Sequence, residues 1–413
     1  MQPGHRRKKQ KRKLVVSSQR RKMRACLRVI DLKRIDNIYP KIYDFENLYC
    51  AYMEARKCKR YRQEIMAFGQ NLEENLITIQ NELIWRTYHV GRYREFYVHD
   101  PKRRLIMALP FRDRVVQWAI YRQLNPIFDR RYISTSYGCR FGGGSHRSVA
   151  KLKEYLRLQS GTAYVLKMDI SKYFYRVNHD ILMSILERII KDEGLLWLLH
   201  EIIYSDHDFG IEADDYNYSG HRLNDVGMPI GNLSSQMFAN LYLNDADQYA
   251  KHVLRVKYYI RYMDDIVIVG SDKKELKRVW EEMEEFLADH LALTLNAKTC
   301  IRSEKQGVDF CGYRVWRDHI RLRKKSALKM KHRLRWLRKA YARSEPGVTV
   351  RSVRDTLMSY LGMLQHCDGY RLRESVLEDL VLVRAAREDT HDERESTAGM
   401  ADTDKYGMRG RAE

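Results

Sequence analysis

The sequence predicts an α+β fold. An antiparallel sheet and its helices form the main domain, and basic helices come after it in the chain. Two β-prone runs, residues 258–261 and 266–269, flank a tight turn and so predict a hairpin. Apolar residues three or four apart predict helices on both sides of it. The third observation is the charge, which is concentrated in two segments instead of being spread over the chain.

Those two segments account for the whole cationic surplus. The chain has 413 residues with 76 Lys+Arg and 54 Asp+Glu, a formal charge of +22. Residues 1–24 and 321–343 each hold eleven cations and no acid, and the remaining 366 residues balance at 54 against 54. Nucleic acid or an anionic membrane surface would attract such segments. A uniformly basic, histone-like protein is excluded.

The composition also limits the compartment and the class of protein. No run of about 18 apolar residues predicts a spanning helix, and no apolar segment follows the basic start as in a secretory signal. The seven cysteines are scattered without zinc-ligand spacing. We therefore expect free thiols in a reducing, prokaryotic or phage-related cytoplasm, and no membrane contact.

Periodicity places the other elements in order. Residues 1–24 read as a disordered basic arm and the polar residues from 387 onward as a disordered tail. The predicted helices share apolar spacing of three or four and span residues 42–90, 112–124, 146–158, 180–191, 232–253, 273–290, 321–342 and 353–365. The predicted strands are short and rich in β-branched or aromatic residues, and span residues 94–98, 104–109, 164–169, 258–261, 266–269, 308–316 and 319–322.

Three carboxylates stand where strands meet turns. Asp264 and Asp265 follow Tyr262-Met263 at the tip of the predicted hairpin, and Asp169 ends the apolar run 164–169. Any one of them alone would be an ordinary turn aspartate. Adjacent buried anions need a cation, and carboxylate oxygens from separate strands suit Mg²⁺. The pattern predicts two Mg²⁺ ions, with Mn²⁺ as the alternative, for phosphoryl chemistry.

The Tyr-Met-Asp-Asp hairpin, about a hundred residues after an Asp-x-x-x-x-Phe strand end, resembles the reverse transcriptase palm. The resemblance covers about residues 40–370 and implies a right-hand polymerase fold. Its domains would be a basic arm (1–24), N-terminal helices and fingers (25–163), a palm (164–318), a helical thumb (319–385) and a polar tail (386–413).

The same resemblance implies roles at the catalytic centre. Asp169 and Asp264 would bridge both metals, and Asp265 would complete the cluster with a lesser share of ligation. The Ile170 carbonyl would help hold the nucleotide-side metal. Phe174 matches the steric gate against a ribose 2′-hydroxyl, with a plain core residue as the alternative.

Further motifs imply contacts with the incoming nucleotide. Residues 101–104 and 110–117 resemble the first finger motif of group II intron-like enzymes, and residues 136–140 the second. Arg104 and Arg140 would grip the triphosphate, since guanidinium suits phosphate oxygens; surface salt bridges are the alternative. Tyr262 and Met263 would border the nucleotide, and Lys298 would protonate pyrophosphate unless it is a solvated lysine.

The stretch Gly227-Met-Pro-Ile-Gly-Asn-Leu-Ser-Ser-Gln236 resembles the reverse transcriptases of diversity-generating retroelements. These enzymes copy a template-repeat RNA into cDNA with errors at adenines, and the cDNA replaces a variable repeat in a target gene. Ile230, Gly231 and Gln236 would touch the nucleotide. Most reverse transcriptases carry Gln where Ile230 stands, so an apolar side chain here implies reduced fidelity, unless the exchange is harmless.

The thumb-like region implies contacts with a primer–template. Gly312 and Tyr313 resemble the hairpin that grips the primer. The basic helix would follow a phosphate backbone, with Trp336 and Leu337 packed inward. Its expected nucleic-acid contacts are Arg321, Arg323, Lys324, Lys325, Lys329 and Arg333.

Three functions compete. The leading one is an RNA-directed DNA polymerase that uses dNTPs, a template RNA and an RNA/DNA primer–template, with a small, basic, pentameric helical accessory protein as partner. A retron-like or phage-defence reverse transcriptase would use a different RNA. A non-catalytic RNA-binding scaffold is the remote alternative, because a relict palm would be expected to lose one of the three aspartates.

Overall fold

The computed structural model describes residues 34–99, 103–205 and 226–383. The predicted basic arm and polar tail lie outside these ranges. So do most of residues 204–224, whose polar, turn-rich sequence predicts a loop with a short hairpin. The chain divides into two units: Met1–Lys324 with His366–Asp368, and Lys325–Gln365 with Gly369–Glu413. The following paragraphs take the first unit and then the second.

Four short helices begin the described chain, where periodicity predicted one long helical region. Asp44 ends the first helix and caps the second by accepting a hydrogen bond from the Asn47 amide. Left-handed backbone at Cys58 contributes to a turn before the third. The helices are α1 (Tyr39–Tyr43), α2 (Phe45–Ala55), α3 (Gln63–Gln70) and α4 (Leu72–Ile84).

A hairpin and a group of helices follow. The hairpin, β1 (Arg94–Val98) with β2 (Arg104–Ala108), is confirmed with the predicted strands. The first helix after it runs past the predicted end and includes Pro126. The helix at 193–203 was not predicted. The helices are α5 (Phe111–Asp129), α6 (Ser145–Arg157), α7 (Tyr173–Arg176), α8 (His179–Ile189) and α9 (Glu193–Ile203).

The central sheet has four antiparallel strands in the order β4-β5-β3-β6. Its members are β3 (Tyr164–Asp169), β4 (Tyr258–Tyr262), β5 (Asp265–Gly270) and β6 (Cys300–Ser303). The first three were predicted, whereas β6 was missed because it is short and polar. Buried apolar residues of β3 and β5 join the main core with residues of α10 (Leu233–Gln248) and α11 (Lys273–Leu291).

A smaller antiparallel sheet follows the central one in the chain. It consists of β7 (Val308–Phe310), β8 (Tyr313–Val315) and β9 (Ile320–Leu322). The single strand predicted over 308–316 is therefore wrong. Cys311 and Gly312, with φ angles of 47° and 85°, turn the chain back between β7 and β8.

The second unit contains α12 (Lys324–Ala342), α13 (Val350–Leu364) and α14 (Tyr370–Glu378). The first residue of α12, Lys324, still belongs to the first unit. One face of α12 is apolar and buried: Met330, Leu334, Leu337 and Ala340. The prediction that Trp336 packs inward is wrong. Its side chain is 45% exposed, and the Arg333 guanidinium lies 4.4 Å from the centre of its ring.

The six cysteines within the described ranges are free. None of the helices described is long and apolar enough to cross a membrane.

Candidate active site at the end of the central sheet

The β4–β5 hairpin presents two acids at its tip. Tyr262 pairs with Asp265, so Met263 and Asp264 form the two-residue turn. Met263 has φ 54°, a left-handed conformation uncommon for a residue with a side chain. Such backbone persists only where surrounding contacts hold it, which is common at functional sites.

The third acid reaches the same edge through strand register. Asp169 is the last residue of β3 and lies directly opposite Asp265. The Ile170 amide donates to the Asp264 carbonyl at 3.4 Å, and the Asn296 amide donates to the Asp169 carbonyl at 2.7 Å. The fold therefore brings the three predicted aspartates to one end of the sheet.

Asp264 is the electrostatically strained member of this group. Burial, and secondarily the carboxylates of Asp265 and Asp169, raise its pKa from 3.8 to about 6, while Arg104 acts in the opposite direction. Asp265 has a cation of its own, since the Lys167 ammonium lies 3.3 Å from its carboxylate. A bound cation would relieve the repulsion around Asp264.

The oxygen atoms of these aspartates suit a hard divalent ion whose remaining ligands come from water and substrate. Within residues 34–99, 103–205 and 226–383, no three His, Cys, Asp or Glu side chains stand ready to enclose a metal. Mg²⁺ commonly takes one or two carboxylates and completes its shell with water and phosphate oxygens. Asp169 and Asp264 are the residues that could supply such carboxylates to a bound ion.

A buried ion pair that the sequence analysis missed supports the hairpin. Arg261 and Asp247 are both fully buried, and the guanidinium donates three hydrogen bonds of 2.7–2.9 Å to the carboxylate. The same guanidinium donates to the Asn240 side chain and to the Met263 carbonyl, both at 3.1 Å. Tyr259 donates its hydroxyl to Asp247 at 2.7 Å.

This network fixes the charge state and the turn together. Burial alone would lower the pKa of Arg261, but the Asp247 carboxylate outweighs it and the net pKa is raised. Arg261 thus remains a cation whose donors hold the carbonyl one residue before Asp264. Its partner lies 14 residues upstream, and only the packing of α10 on β4 brings them together.

The predicted nucleotide contacts of the first unit have different surroundings. Arg104 begins β2 and acts electrostatically on Asp264. Phe174 is half-buried and packs against the main core. Ile230 is half-buried, and its carbonyl accepts from the Met107 amide at 3.1 Å. Gly231 has φ 126°, and a Cβ there would lie 3.1 Å from the Met107 carbonyl oxygen, so this residue needs to be glycine.

Arg140 has a different environment from the one predicted. Its guanidinium binds the Asp129 carboxylate at 2.6 Å and also donates to the carbonyls of Asp129, Ile133 and Ser136. With these donors engaged inside the protein, we correct its assignment from a triphosphate ligand to a residue that shapes the loop. Gln236 is exposed, and its amide oxygen lies 3.5 Å from the Cys139 sulfur.

The remaining predicted residues divide by exposure. Lys298 is exposed. It lies two residues after Asn296, whose amide donates to the Asp169 carbonyl. The Tyr313 ring is 1% exposed and its hydroxyl contacts His146, so its side chain is not available to a primer, contrary to the expectation. Gly312 forms the β7–β8 turn, and its carbonyl accepts from the Arg323 amide. Arg321 and Arg323 are exposed.

Comparison with known proteins gives this arrangement a family. A family model described as reverse transcriptase (RNA-dependent DNA polymerase) matches residues 99–315. Protein YkfC of Escherichia coli is 28% identical over 288 residues, 60% of this chain and 73% of that protein. The group II intron-encoded protein LtrA of Lactococcus lactis is 22% identical over 325 residues, covering 62% of this chain and 51% of LtrA.

More distant matches cover less of the other protein. Nuclear intron maturase 1 of Arabidopsis thaliana is 30% identical over 156 residues, which is 32% of this chain but 21% of the maturase. A solved telomerase structure from Candida albicans aligns with a TM-score of 0.42 at 14% identity, over 70% of this chain and 55% of that one. The chain thus spans about half or less of several relatives. Because the family model covers more than half of it, the chain belongs to the reverse transcriptase family of RNA-dependent DNA polymerases.

Proposed function

We propose that this chain copies RNA into DNA at the edge of the central sheet where Asp169, Asp264 and Asp265 meet. The observation that carries the proposal is the strand register, which puts Asp169 opposite Asp265 and Asp264 in the adjoining turn. An RNA template, an RNA/DNA primer–template and dNTPs would be the substrates.

In this proposal each residue near the turn has a role. Asp169 and Asp264, with the Ile170 carbonyl, would hold divalent metal, and Asp265, balanced by Lys167, would contribute less. Bound Mg²⁺ or Mn²⁺ would supply charge stabilisation for attack of a 3′-hydroxyl and departure of pyrophosphate. Arg104 would face the triphosphate, Phe174 would exclude a 2′-hydroxyl, and Lys298 would donate a proton to pyrophosphate. Tyr262 and Met263 would border the nucleotide.

The domains follow the same proposal. The central sheet would be the palm, the β1–β2 hairpin and preceding helices the fingers, and α12 part of a thumb. The cations on the exposed side of α12 would contact phosphates: Lys324, Lys325, Lys329 and Arg333. Arg321 and Arg323 precede them along the chain.

We further propose that the enzyme serves a diversity-generating retroelement. Ile230 supports this, because its carbonyl is bonded to Met107 on β2 and its apolar side chain stands where a Gln would otherwise offer hydrogen bonds. Template-repeat RNA would be copied with errors at adenines, with a small, basic, pentameric accessory protein as partner. The DNA around the gene tests this: a repeat pair that differs only at adenines is expected, and repeats without that bias would contradict it.

Primer extension on an RNA template tests the catalytic assignment. Asp264→Asn keeps the side-chain volume but removes a negative charge, so extension should fall by at least about 10²-fold, as when one preorganised electrostatic group is lost. Template–primer binding measured without metal should be unchanged. The matched control is Asp289→Asn, an exposed acid on α11, which should extend normally. Normal extension by Asp264→Asn would refute the assignment.

A further inference from the structure

A phenylalanine beside the candidate active site has its whole side chain in solvent. Phe141 is 100% exposed, in the loop between α5 and α6. Single exposed apolar residues are ordinary on protein surfaces. The surroundings of Phe141 distinguish it from those, because its loop is held in shape and attached to the catalytic hairpin.

The loop is held by its own hydrogen bonds. The Gly143 amide donates to the Arg140 carbonyl at 3.0 Å, and the Gly144 amide donates to the Tyr137 carbonyl at 2.9 Å. A Cβ at Gly143 would lie 2.4 Å from the Tyr137 carbonyl oxygen. Arg140, tied to Asp129 and to three carbonyls, closes the base. Phe141 therefore projects from ordered backbone, so little conformational entropy would be lost when a ligand covers it.

The same loop is bonded to the hairpin that carries Asp264. The Tyr137 amide donates to the Arg261 carbonyl at 2.9 Å, and the Asn240 amide group donates to the Gly138 carbonyl at 2.8 Å. A Cβ at Gly138 would lie 2.6 Å from the Met263 backbone nitrogen. Only two residues thus lie between Phe141 and Gly138, the position where the loop approaches the turn that carries Asp264.

The charges next to Phe141 suit a nucleotide. Arg147 is exposed and donates to the Gly142 carbonyl. Helix α6 has no acidic residue in its first turn and no side-chain cap at Gly144, so its amino-terminal end is electropositive. An exposed aromatic ring near an arginine and an electropositive helix end is the combination that binds unpaired nucleic acid by stacking on bases and attracting phosphates.

We propose that Phe141 is a stacking platform for an unpaired nucleobase held next to the catalytic turn. This rests on the proposed polymerase function and adds to it a residue that no sequence motif indicated. A paired base inside a duplex has both faces covered by its neighbours, so an unpaired template base or the base of the incoming nucleotide are the two sources. They share the chemistry of a flat aromatic face.

Binding measurements separate the ring from simple apolar contact. Phe141→Ala and Phe141→Leu should weaken one of two binding steps by about 5- to 150-fold, the range for one lost base–aromatic stack. These steps are binding of a template–primer with a single-stranded RNA overhang and binding of the next complementary dNTP to that complex. Phe141→Tyr should retain both. Tyr61→Ala removes another exposed ring, 77% exposed, and should change neither. Wild-type affinity of Phe141→Ala and Phe141→Leu in both steps would overturn the proposal, as would full binding in both steps by Phe141→Leu alone.

Fluorescence identifies the source of the base. In Phe141→Trp, extra quenching relative to wild type upon adding the overhang substrate without dNTP assigns the template base. Quenching that appears only when the next complementary dNTP is added to the overhang substrate, with a dideoxy-terminated primer, assigns the incoming nucleotide, and absence of quenching in both cases overturns stacking. These measurements do not depend on DNA synthesis. If the wild type failed to extend a primer, the polymerase proposal would be refuted and the stacking result would still stand.

Discussion

At the scale of single residues, Ile230 is a position where backbone and side chain have separate tasks. Its carbonyl is bonded to the Met107 amide, and the next residue needs to be glycine because β2 approaches closely. These contacts fix the backbone whichever side chain is present. In the proposed function, the side chain would then be free to determine how strictly a nearby nucleotide is recognised.

We therefore expect Ile230→Gln to lower misincorporation opposite template adenine, because the amide can donate hydrogen bonds that isoleucine lacks. Sequencing cDNA made on a defined RNA template measures the error spectrum. Ile84→Gln, at an exposed position of α4, is the control and should keep the wild-type spectrum. An identical spectrum for Ile230→Gln would remove the fidelity argument.

Single residues also show the limits of sequence reasoning. The three aspartates were predictable because each follows an apolar β-prone run, so the local pattern contains both the strand and its end. Arg140 was not, because its function depends on Asp129, which is 11 residues upstream and meets it only in the folded loop. The sequence around Arg140, with Gly142–Gly144 after it, would look the same whether the guanidinium bound a phosphate or a carboxylate of the same chain.

At the scale of elements, the ion pair between α10 and β4 connects core packing to the β4–β5 turn that carries Asp264. Removing one partner of a buried pair leaves an uncompensated charge, whereas removing both does not. The consequences for stability and for geometry can therefore be separated. The hydrogen bond from Arg261 to the Met263 carbonyl is lost whenever Arg261 is replaced, whether or not Asp247 is replaced as well.

Arg261→Met alone should cost about 3–5 kcal/mol of unfolding free energy, as expected for a broken buried pair. Arg261→Met combined with Asp247→Asn should recover much of that stability. Its primer extension should stay low, by about 10²-fold, the cost of a small misplacement of reacting groups. Denaturant unfolding and kcat measure the two effects. Recovery of kcat along with stability would show that Arg261 serves only the core.

Elements were predictable where the pattern was strong. Strands β3, β4 and β5 are runs of buried aliphatic or aromatic residues bounded by turns, so their period and propensity agree. Strand β6, Cys300–Ser303, has no such run and is a strand because it pairs with β3. Helix α9 is apolar over most of its length, and a short apolar run does not by its period distinguish a helix from a strand.

At the scale of the whole molecule, the position of the +22 charge matters more than its size, because the surplus lies in two segments. The helix α12 buries an apolar face and exposes lysines and arginines. Helix α11 also exposes four cations near its start, Lys273, Lys274, Lys277 and Arg278, but acids follow them along the helix. Four exposed cations can therefore be replaced on each helix, which gives a matched comparison.

Replacing Lys324, Lys325, Lys329 and Arg333 with Gln should weaken RNA-template binding and reduce its salt dependence. Each lost phosphate contact removes about 0.7–0.9 from the slope of log K against log[salt], so four remove about 3. Replacing the four cations of α11 should leave the slope unchanged, and filter binding at several salt concentrations measures both. Equal slopes for the two variants would show that total charge matters and the position of α12 does not.

The pairing of Asp169 with Asp265 also has a kinetic consequence. These strand partners are 96 residues apart in the chain, and contacts between distant residues form slowly because a long loop must close first. A one-residue slip would turn the side chains of one strand to the opposite face. The chain therefore acquires its acidic centre only when the long-range pairing of β3 with β5 is complete and in register. Recovery of activity after dilution from denaturant is for that reason a direct clock for the correct folding of the central sheet.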